Sequence, residues 1–345
     1  MAYNLPMDLK SLRYAVLGAG SFGTVLANII AENGYQCSLW MRDESEAAET
    51  RATGINTRYL PNLQLPDNLH IDSRLHTLAG ECDVFLFTVP SNAVRAVAEV
   101  VSAHIRPGAY LISGTKGIEP VSSKLMSQVL EEEIPGHEIA VLSGPNLAKE
   151  ISERQLTGSV IASHSAELCA LVQEVMGNSY FRIYSNDDRT GVELAGTLKN
   201  IYAILSGIAS GLGFGANSMS MLITRSLAEM SRFASAQGAN AVSYLGLSGV
   251  GDLIATCTSP LSRNYQIGLR VGQGMNLEQA VADLGQTAEG VNTVAVVHER
   301  AAQMNIPMPL CEGLYEILHA NRPTKEVIAS LMDRDQTQDV EYKVK

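Results

Sequence analysis

The run Gly18-Ala19-Gly20-Ser21-Phe22-Gly23 follows a short apolar segment, 14–17, and opens a stretch with helical apolar periodicity. A Gly-x-Gly-x-x-Gly at such a strand-to-helix junction suits a dinucleotide. The first glycine makes the tight turn, the second lets backbone approach a pyrophosphate, and the third lets helix pack closely on strand. Amides at the helix start then face the anion, helped by the helix dipole. The next apolar run, 37–41, ends in Arg42-Asp43. An acid there bonds a ribose 2′-hydroxyl, as in NAD, whereas a cation accommodates the 2′-phosphate of NADP. Arg42 comes first, which favours NADP. Use of both cofactors and a plain solvated surface pair are the alternatives.

A second group of residues has the chemistry of proton transfer and anion binding. Lys199 is the sole charged residue between 194 and 209. Leu194, Leu198, Ile201 and Leu205 fall on one helical stripe, and Ala195, Tyr202 and Ser206 share the stripe of Lys199. A helix so apolar on most faces is expected to be largely buried, and lysine is seldom buried without a partner or a task. Desolvation lowers a lysine pKa toward the range useful for proton transfer, which makes Lys199 the candidate acid/base. Lys116, in Ser113-Gly114-Thr115-Lys116-Gly117, sits just past a strand, either aimed at the ligand crevice or solvated in a loop. Asp252, flanked by Gly249, Gly251 and Leu253, is either a functional carboxylate or a helix cap. Ser262-Arg263-Asn264, after Pro260, reads as a helix start whose hydroxyl, guanidinium and amide converge on one phosphate, or as capping beside a surface arginine.

The elements that must position these residues fall into two textures. Short apolar runs at 14–17, 37–41, 83–89, 109–113, 139–143 and 159–162 alternate with helical stretches, the pattern of parallel βαβ units in a doubly wound α/β sheet. Several runs lead straight into Gly18, Pro90, Gly114 or Gly144-Pro145, and such loops gather at the carboxyl edge of an open sheet, where ligands bind. After about residue 186 the texture turns helical, rich in Ala, Leu, Met and Ser, with one further strand-like run at 244–247. Glycines 207, 211, 213 and 215, then 246, 249 and 251, then 268, 272 and 274 read there as punctuation. The expected architecture is an N-terminal Rossmann-type domain, residues 1–188, followed by a mainly α-helical domain, residues 189–345. The length of 345 residues suits two cores better than one.

Composition narrows the function classes. With 46% hydrophobic and 18% charged residues the chain is of globular type. A formal net charge of −11 argues against a broad nucleic-acid surface. It does not oppose a small anion held by one or two local cations, because distant charges are screened beyond ~8 Å at physiological salt. Cys37, Cys82, Cys169, Cys257 and Cys311 are odd in number and never in a CxxC pair, so reduced thiols are expected, with no disulfide framework and no metal site. Residues 1–10 lack an apolar leader core, and the most apolar stretch, 192–209, carries Glu193, Lys199 and Asn200, so neither secretion nor membrane insertion is expected and a cytoplasmic location is. The polar tail from about residue 333 reads as frayed.

Taken in order, the motifs resemble the NAD(P)-dependent glycerol-3-phosphate dehydrogenases of bacterial type. The matching runs are Gly18-Ala19-Gly20-Ser21-Phe22-Gly23-Thr24, Asn56 with Tyr59-Leu60-Pro61, Val89-Pro90-Ser91, Thr115-Lys116-Gly117, Gly144-Pro145, Val192-Glu193-Leu194, Leu198-Lys199-Asn200, Gly251-Asp252-Leu253, Ser262-Arg263-Asn264 and Ala288-Glu289-Gly290-Val291-Asn292-Thr293. They span nearly the whole chain. The resemblance implies that Lys199 is the catalytic acid/base and that Lys116, Gly144, Asn146, Asp252, Ser262, Arg263 and Asn264 join it in holding a small phosphorylated substrate. It implies cofactor contacts, to NADP or NAD, from Ser21, Phe22, Arg42, Lys116, Ala148, Arg263 and Glu289, beside Gly18, Gly20 and Gly23. It implies too a homodimer and a role in glycerophospholipid synthesis. Phe22 departs from the family's frequent Trp, and Asn146 stands where Ser or Thr is usual. The rival readings are a two-domain dehydrogenase acting on a β-hydroxy acid, separated by its indifference to substrate phosphate, and a non-catalytic NAD(P)-binding redox sensor, separated by lack of turnover.

Overall fold

Apolar runs that do not alternate become parallel strands when helices cover both their faces. The computed structural model, which describes residues 8–285 and 289–333, follows that rule through its first half. The expected readings of the extreme N-terminus and of the tail fall for the most part outside these residues, as does Ala288. Two compact units divide the chain: the first runs to Glu119 and resumes at Lys124–Arg189, and the second takes Pro120–Ser123 and the described chain from Thr190 onward.

The first unit runs β1 (Arg13–Leu17), α1 (Ser21–Glu32), β2 (Gln36–Trp40), α2 (Glu44–Thr53), β3 (Leu69–Asp72), α3 (Leu75–Glu81), β4 (Val84–Phe87), α4 (Val94–Ser102), β5 (Tyr110–Ser113), α5 (Met126–Glu133), β6 (Glu138–Ser143), α6 (Ala148–Ser152), β7 (Thr157–Ala162), α7 (Ala166–Met176) and β8 (Phe181–Asn186). The strands form one sheet in the order β3-β2-β1-β4-β5-β6-β7-β8, parallel except for the antiparallel β6–β7 pair. Val25, Ile29, Leu168 and Val172 belong to the apolar layer on one face, and Leu78, Val97, Met126 and Val129 to that on the other. Strand order reverses at β1 and β4, so the loops after these two strands border the switch point where open α/β sheets take ligands.

Two strands, β3 and β8, and the reversal at β7 lie beyond the sequence reading. Strand β8 alternates buried and exposed side chains at the sheet edge, so it lacks the continuous apolar signature of its neighbours. A short turn region joins β6 to β7, with α6 the one helix between them.

The second unit runs α8 (Arg189–Gly211), α9 (Ala216–Ser235), a 3₁₀ turn (Ala241–Leu245), a π turn (Leu247–Gly251), α10 (Asp252–Thr258), α11 (Arg263–Gly272), α12 (Leu277–Leu284), α13 (Glu289–Gln303), α14 (Pro309–Leu318) and α15 (Thr324–Met332). The strand-like run at 244–247 is therefore helical in character. Every residue of α8 from Gly191 to Ala209 is buried, as its apolar circumference requires.

Four glycines read as punctuation lie inside helices and act in packing. A Cβ on Gly207 would come within 2.1 Å of the Tyr265 carbonyl oxygen, and one on Gly268 within 1.9 Å of the Ile204 oxygen. Gly211 and Gly272 repeat the contact one turn on, at 2.5 Å from the Leu269 oxygen and 2.4 Å from the Ile208 oxygen. Helices α8 and α11 thus touch backbone to backbone.

Glu229 on α9 is only 2% exposed. Its carboxylate accepts from the Leu310 N–H at 2.7 Å, the Cys311 N–H at 3.2 Å and the Tyr202 hydroxyl at 3.1 Å, which caps the N-terminus of α14 from another helix. Burial pushes this carboxyl from its ordinary 4.5 up to about 7 against those three bonds. A raised carboxyl binds a proton in the folded state that the unfolded chain has released. Its contribution to stability is therefore complete below pH 4.5 and is lost as pH rises through about 7. Urea unfolding should lose up to about 1.4 kcal/mol per pH unit across this window, and Glu229→Gln should flatten that slope. An equal slope in the variant would exclude Glu229 as its source.

Candidate functional site

Within the first unit the glycine-rich turn sits between the ends of β1 and β4. Gly18 holds φ +116°, and a Cβ on it would lie 2.9 Å from both the Val89 Cγ1 and the Val89 nitrogen. A Cβ on Gly23 would lie 1.9 Å from the Gly18 oxygen. Internal crowding therefore demands both glycines. Gly20 differs: its φ of −67° and ψ of 174° suit any residue, and a Cβ there would meet nothing within 4 Å. Its smallness answers to something that approaches from outside the chain, and a pyrophosphate seated on the start of α1 fits, since no side chain among the described residues caps that helix. Ser21 and Phe22 form its first turn, and Phe22 is partly buried against the core.

Arg42 is exposed just past β2. Asp43 is engaged elsewhere: its carboxylate accepts from the Ser45 and Glu46 N–H groups as the N-cap of α2. Along the same sheet edge, the Lys116 amine donates to the Gly144 oxygen at 2.9 Å, so these two sequence-predicted residues meet. Gly144 holds φ +122°. Asn146 donates to the Ser159 hydroxyl at 3.1 Å, while its side-chain oxygen is buried with no hydrogen-bond partner among the described residues. Ala148 is the first residue of α6.

The second unit holds the lysine. Lys199, 6% exposed at the middle of α8, forms a short ion pair with Asp252, itself 1% exposed, and donates to the Thr256 hydroxyl at 2.7 Å. Thr256 in turn donates to the same carboxylate oxygen at 3.2 Å. Asp252 is the first residue of α10 but not its cap, since Gly251 occupies that position. The π turn delivers it there, and Gly249 permits the turn: a Cβ would lie 2.2 Å from the Tyr244 oxygen. Cys257, next in the helix, is pushed up to about 12 by burial and stays a thiol.

Ser262, Arg263 and Asn264 open α11, but their side chains do not all point to one place. The Ser262 hydroxyl accepts from the Tyr265 N–H at 3.3 Å as the helix cap. Asn264 donates to the Asn200 side-chain oxygen at 2.9 Å and accepts from the Gly290 N–H at 3.1 Å, which ties α11 to α8 and to the start of α13 beside Glu289. Arg263 is exposed. Sequence reasoning missed Thr256 and the use of Asn200. The first was findable one helical turn after Asp252; the second adjoins Lys199 but declares its partner only in three dimensions.

Among the described residues, no group of three or more His, Cys, Asp and Glu is placed to hold a metal ion. The described cysteines are free and buried. No helix of the described residues is long and apolar enough to cross a membrane.

A doubly wound sheet with a dinucleotide turn at its switch point, followed by a helical unit with a buried, carboxylate-paired lysine, defines the class of nicotinamide-dependent dehydrogenases. The family profile for the N-terminus of NAD-dependent glycerol-3-phosphate dehydrogenase matches residues 13–169, and that for its C-terminus matches residues 188–329. A glycerol-3-phosphate dehydrogenase (NAD(P)+) of Teredinibacter turnerae is 52% identical over 332 residues, 96% of this chain and 98% of its own length. One of Saccharophagus degradans is 50% identical over 94% of this chain and 91% of its own. The crystal structure of glycerol-3-phosphate dehydrogenase from Coxiella burnetii superposes with a TM-score of 0.90 at 36% identity, covering 94% of this chain and 99% of the other. The chain belongs to the NAD(P)-dependent glycerol-3-phosphate dehydrogenase family and is an oxidoreductase that uses a nicotinamide dinucleotide.

Removing one member of a buried ion pair strands the other charge and typically costs about 3–5 kcal/mol. Asp252→Ala should accordingly lower the thermal midpoint by several degrees, and the double variant Lys199→Met, Asp252→Leu should recover most of the loss. Differential scanning calorimetry reads both, and a double variant no more stable than Asp252→Ala would show that the pair carries no net burden of buried charge.

Proposed function

We propose that this chain reduces the C2 carbonyl of dihydroxyacetone phosphate to sn-glycerol 3-phosphate, with Lys199 as the proton donor. The observation that carries this reading is the buried Lys199 amine fixed by Asp252 and Thr256. The bound nicotinamide supplies the hydride that reduces C2. Lys199 transfers a proton from Nζ to the oxygen of that carbonyl as negative charge develops on it, and in the reverse direction the neutral amine takes the proton back from the C2 hydroxyl. Asp252 holds the amine in place and offsets the positive charge of the protonated form, and Thr256 fixes a second of its hydrogen-bond directions. Neither partner needs to move for the proton to transfer. That arrangement is the preorganisation from which an acid/base group draws its effect.

Arg263, exposed at the start of α11, anchors the substrate phosphate with its planar set of donors, joined by the helix N-terminus. Lys116, Gly144, Asn146, Ser262 and Asn264 are the further substrate contacts in this reading. The unpartnered Asn146 oxygen is suited to a substrate hydroxyl. Gly18, Gly20, Ser21, Phe22, Gly23, Arg42, Lys116, Ala148, Arg263 and Glu289 hold the cofactor. The product is the backbone of glycerophospholipids, whose synthesis it would supply.

Oxidation of NADPH with dihydroxyacetone phosphate tests the assignment. Lys199→Met should lower kcat at least ~100-fold with cofactor affinity nearly unchanged, and Arg263→Ala should raise the KM for the substrate far more than it lowers kcat. Near-normal turnover in the first variant, or an unchanged KM in the second, would remove that residue from its role. Arg42 next to a carboxylate already used as a helix cap favours the 2′-phosphate, so NADPH should outcompete NADH for limiting enzyme, and Arg42→Ala should erase the difference. Equal use of the two cofactors by the unaltered protein would overturn the preference.

A further inference from the structure

We propose that Asn56 is a positioning residue for the cofactor's pyrophosphate, acting through the backbone of the glycine-rich turn. This rests on the reading that the cofactor is seated on that turn. Asn56 is 2% exposed and lies in the connection after α2, well outside the Gly-x-Gly-x-x-Gly run. Its amide donates to the Ala19 oxygen at 2.9 Å and to the Thr24 hydroxyl at 2.8 Å, and Thr24 donates to the same Ala19 oxygen at 3.3 Å.

A carbonyl oxygen and the N–H of the same trans peptide unit point in opposite directions. No cis peptide bond occurs among the described residues. Holding the Ala19 oxygen against Asn56 therefore turns the Gly20 N–H to the opposite side, where it donates to no acceptor among the described residues. The neighbouring carbonyls are tied inward as well. The Gly18 oxygen accepts from the Thr88 hydroxyl at 2.9 Å, and the Gly20 oxygen accepts from the Thr24 N–H at 2.9 Å. Three successive oxygens that would repel a phosphate are thus bound to the protein. Two of these ties come from the motif's own strand-end and helix neighbours. The third, on the middle peptide of the turn, comes from Asn56 at the shorter distance together with the Thr24 hydroxyl that Asn56 itself holds.

The connection that carries Asn56 can bear this role because it is itself fixed. The Asn56 oxygen accepts from the Leu60 N–H at 2.9 Å and the Tyr59 N–H at 3.2 Å, the Leu65 N–H donates to the Gly54 oxygen at 2.8 Å, and Leu60 and Leu65 are buried in the core. A neutral amide is the fitting donor. A lysine at the same depth would leave a cation to be compensated, and an aspartate would add an acceptor facing an acceptor beside the anion's seat.

The test is titration of the full-length chain with NADPH in the absence of substrate, followed by steady-state kinetics. Asn56→Ala should raise the Kd for NADPH about tenfold, equivalent to about 1.4 kcal/mol, and raise its KM in step, while kcat at saturating NADPH falls no more than about twofold. Because the effect is on the pyrophosphate, inhibition by ADP should weaken in the variant while inhibition by AMP, which lacks a pyrophosphate, should not. Thr24→Val, which deletes the second partner, should move the same constants in the same direction, and Thr24→Ser, which keeps the hydroxyl, should restore them. The Thr24 pair decides the matter if Asn56→Ala does not fold. A lowered thermal midpoint with an unchanged Kd, or equal weakening of ADP and AMP, would overturn the proposal and leave Asn56 a structural residue only. Failure of the unaltered protein to bind NADPH or ADP would instead remove the cofactor reading beneath it.

Discussion

Lys199 and Asp252 bring two opposite charges into a region that water scarcely reaches, and much of the second unit can be read as the conditions for that pair. Taking ions out of water costs several kcal/mol each, and their attraction offsets that only with close geometry and additional hydrogen bonds. Thr256 supplies such bonds to both partners at once. The approach of Asp252 depends on a π turn that only glycine at position 249 allows, because Tyr244 backbone occupies the space of a side chain. The amine in turn needs a helix buried around its whole circumference, and α8 meets that need.

Such a helix has to find partners on every side. Where α11 crosses it, Gly207, Gly211, Gly268 and Gly272 let the two backbones approach without side chains between them. The close crossing has a chemical consequence. It sets the first turn of α11, with Arg263 and Asn264, beside Asn200, the residue next to Lys199, and the Asn264 amide locks the register by bonding Asn200 and the Gly290 N–H together. Packing and chemistry are therefore one constraint in this unit. An alanine at a crossing glycine would displace the residues that the substrate phosphate is proposed to meet.

The glycine-rich turn and the buried lysine were legible in the sequence because each is a local pattern: a spacing of glycines between a strand and a helix, and a lone charge within an apolar helical period. The two-layer α/β half was legible for the same reason, since six of its strands are continuous apolar runs. Strand β3 is interrupted by His70 and Asp72, and β8 is an edge strand with polar residues on its outer face, so neither carries that signature. The residues at 244–247 look strand-like because Tyr244, Leu245 and Leu247 are large and apolar, yet Tyr244 lies in a 3₁₀ turn whose backbone packs against Gly249 of the π turn. The glycines of α8 and α11 read as breaks because sequence shows that a side chain is missing but not what occupies its place. In the sequence Asp252 reads either as a helix cap or as a functional carboxylate, and Gly251 at the cap position excludes the first.

Two buried asparagines show what local patterns leave out. Asn56 fixes the carbonyl before the start of α1, and Asn264 holds the N–H at the start of α13. Both act beside helix N-termini, where orphan amides and the helix dipole favour an arriving anion. A carboxylate at either place could not donate to the oxygen that the amide meets, and it would add a negative charge beside a helix start that favours an anion. An ammonium or guanidinium would attract the phosphate but would have to be desolvated when no ligand is present. The carboxamide avoids both costs: it is neutral, it both donates and accepts, and its planar geometry links two segments in one fixed direction. Its choice at both positions follows from asking for rigidity without charge, whereas Arg42 and Arg263, the cations proposed to meet ligand, are exposed and free of that burial cost.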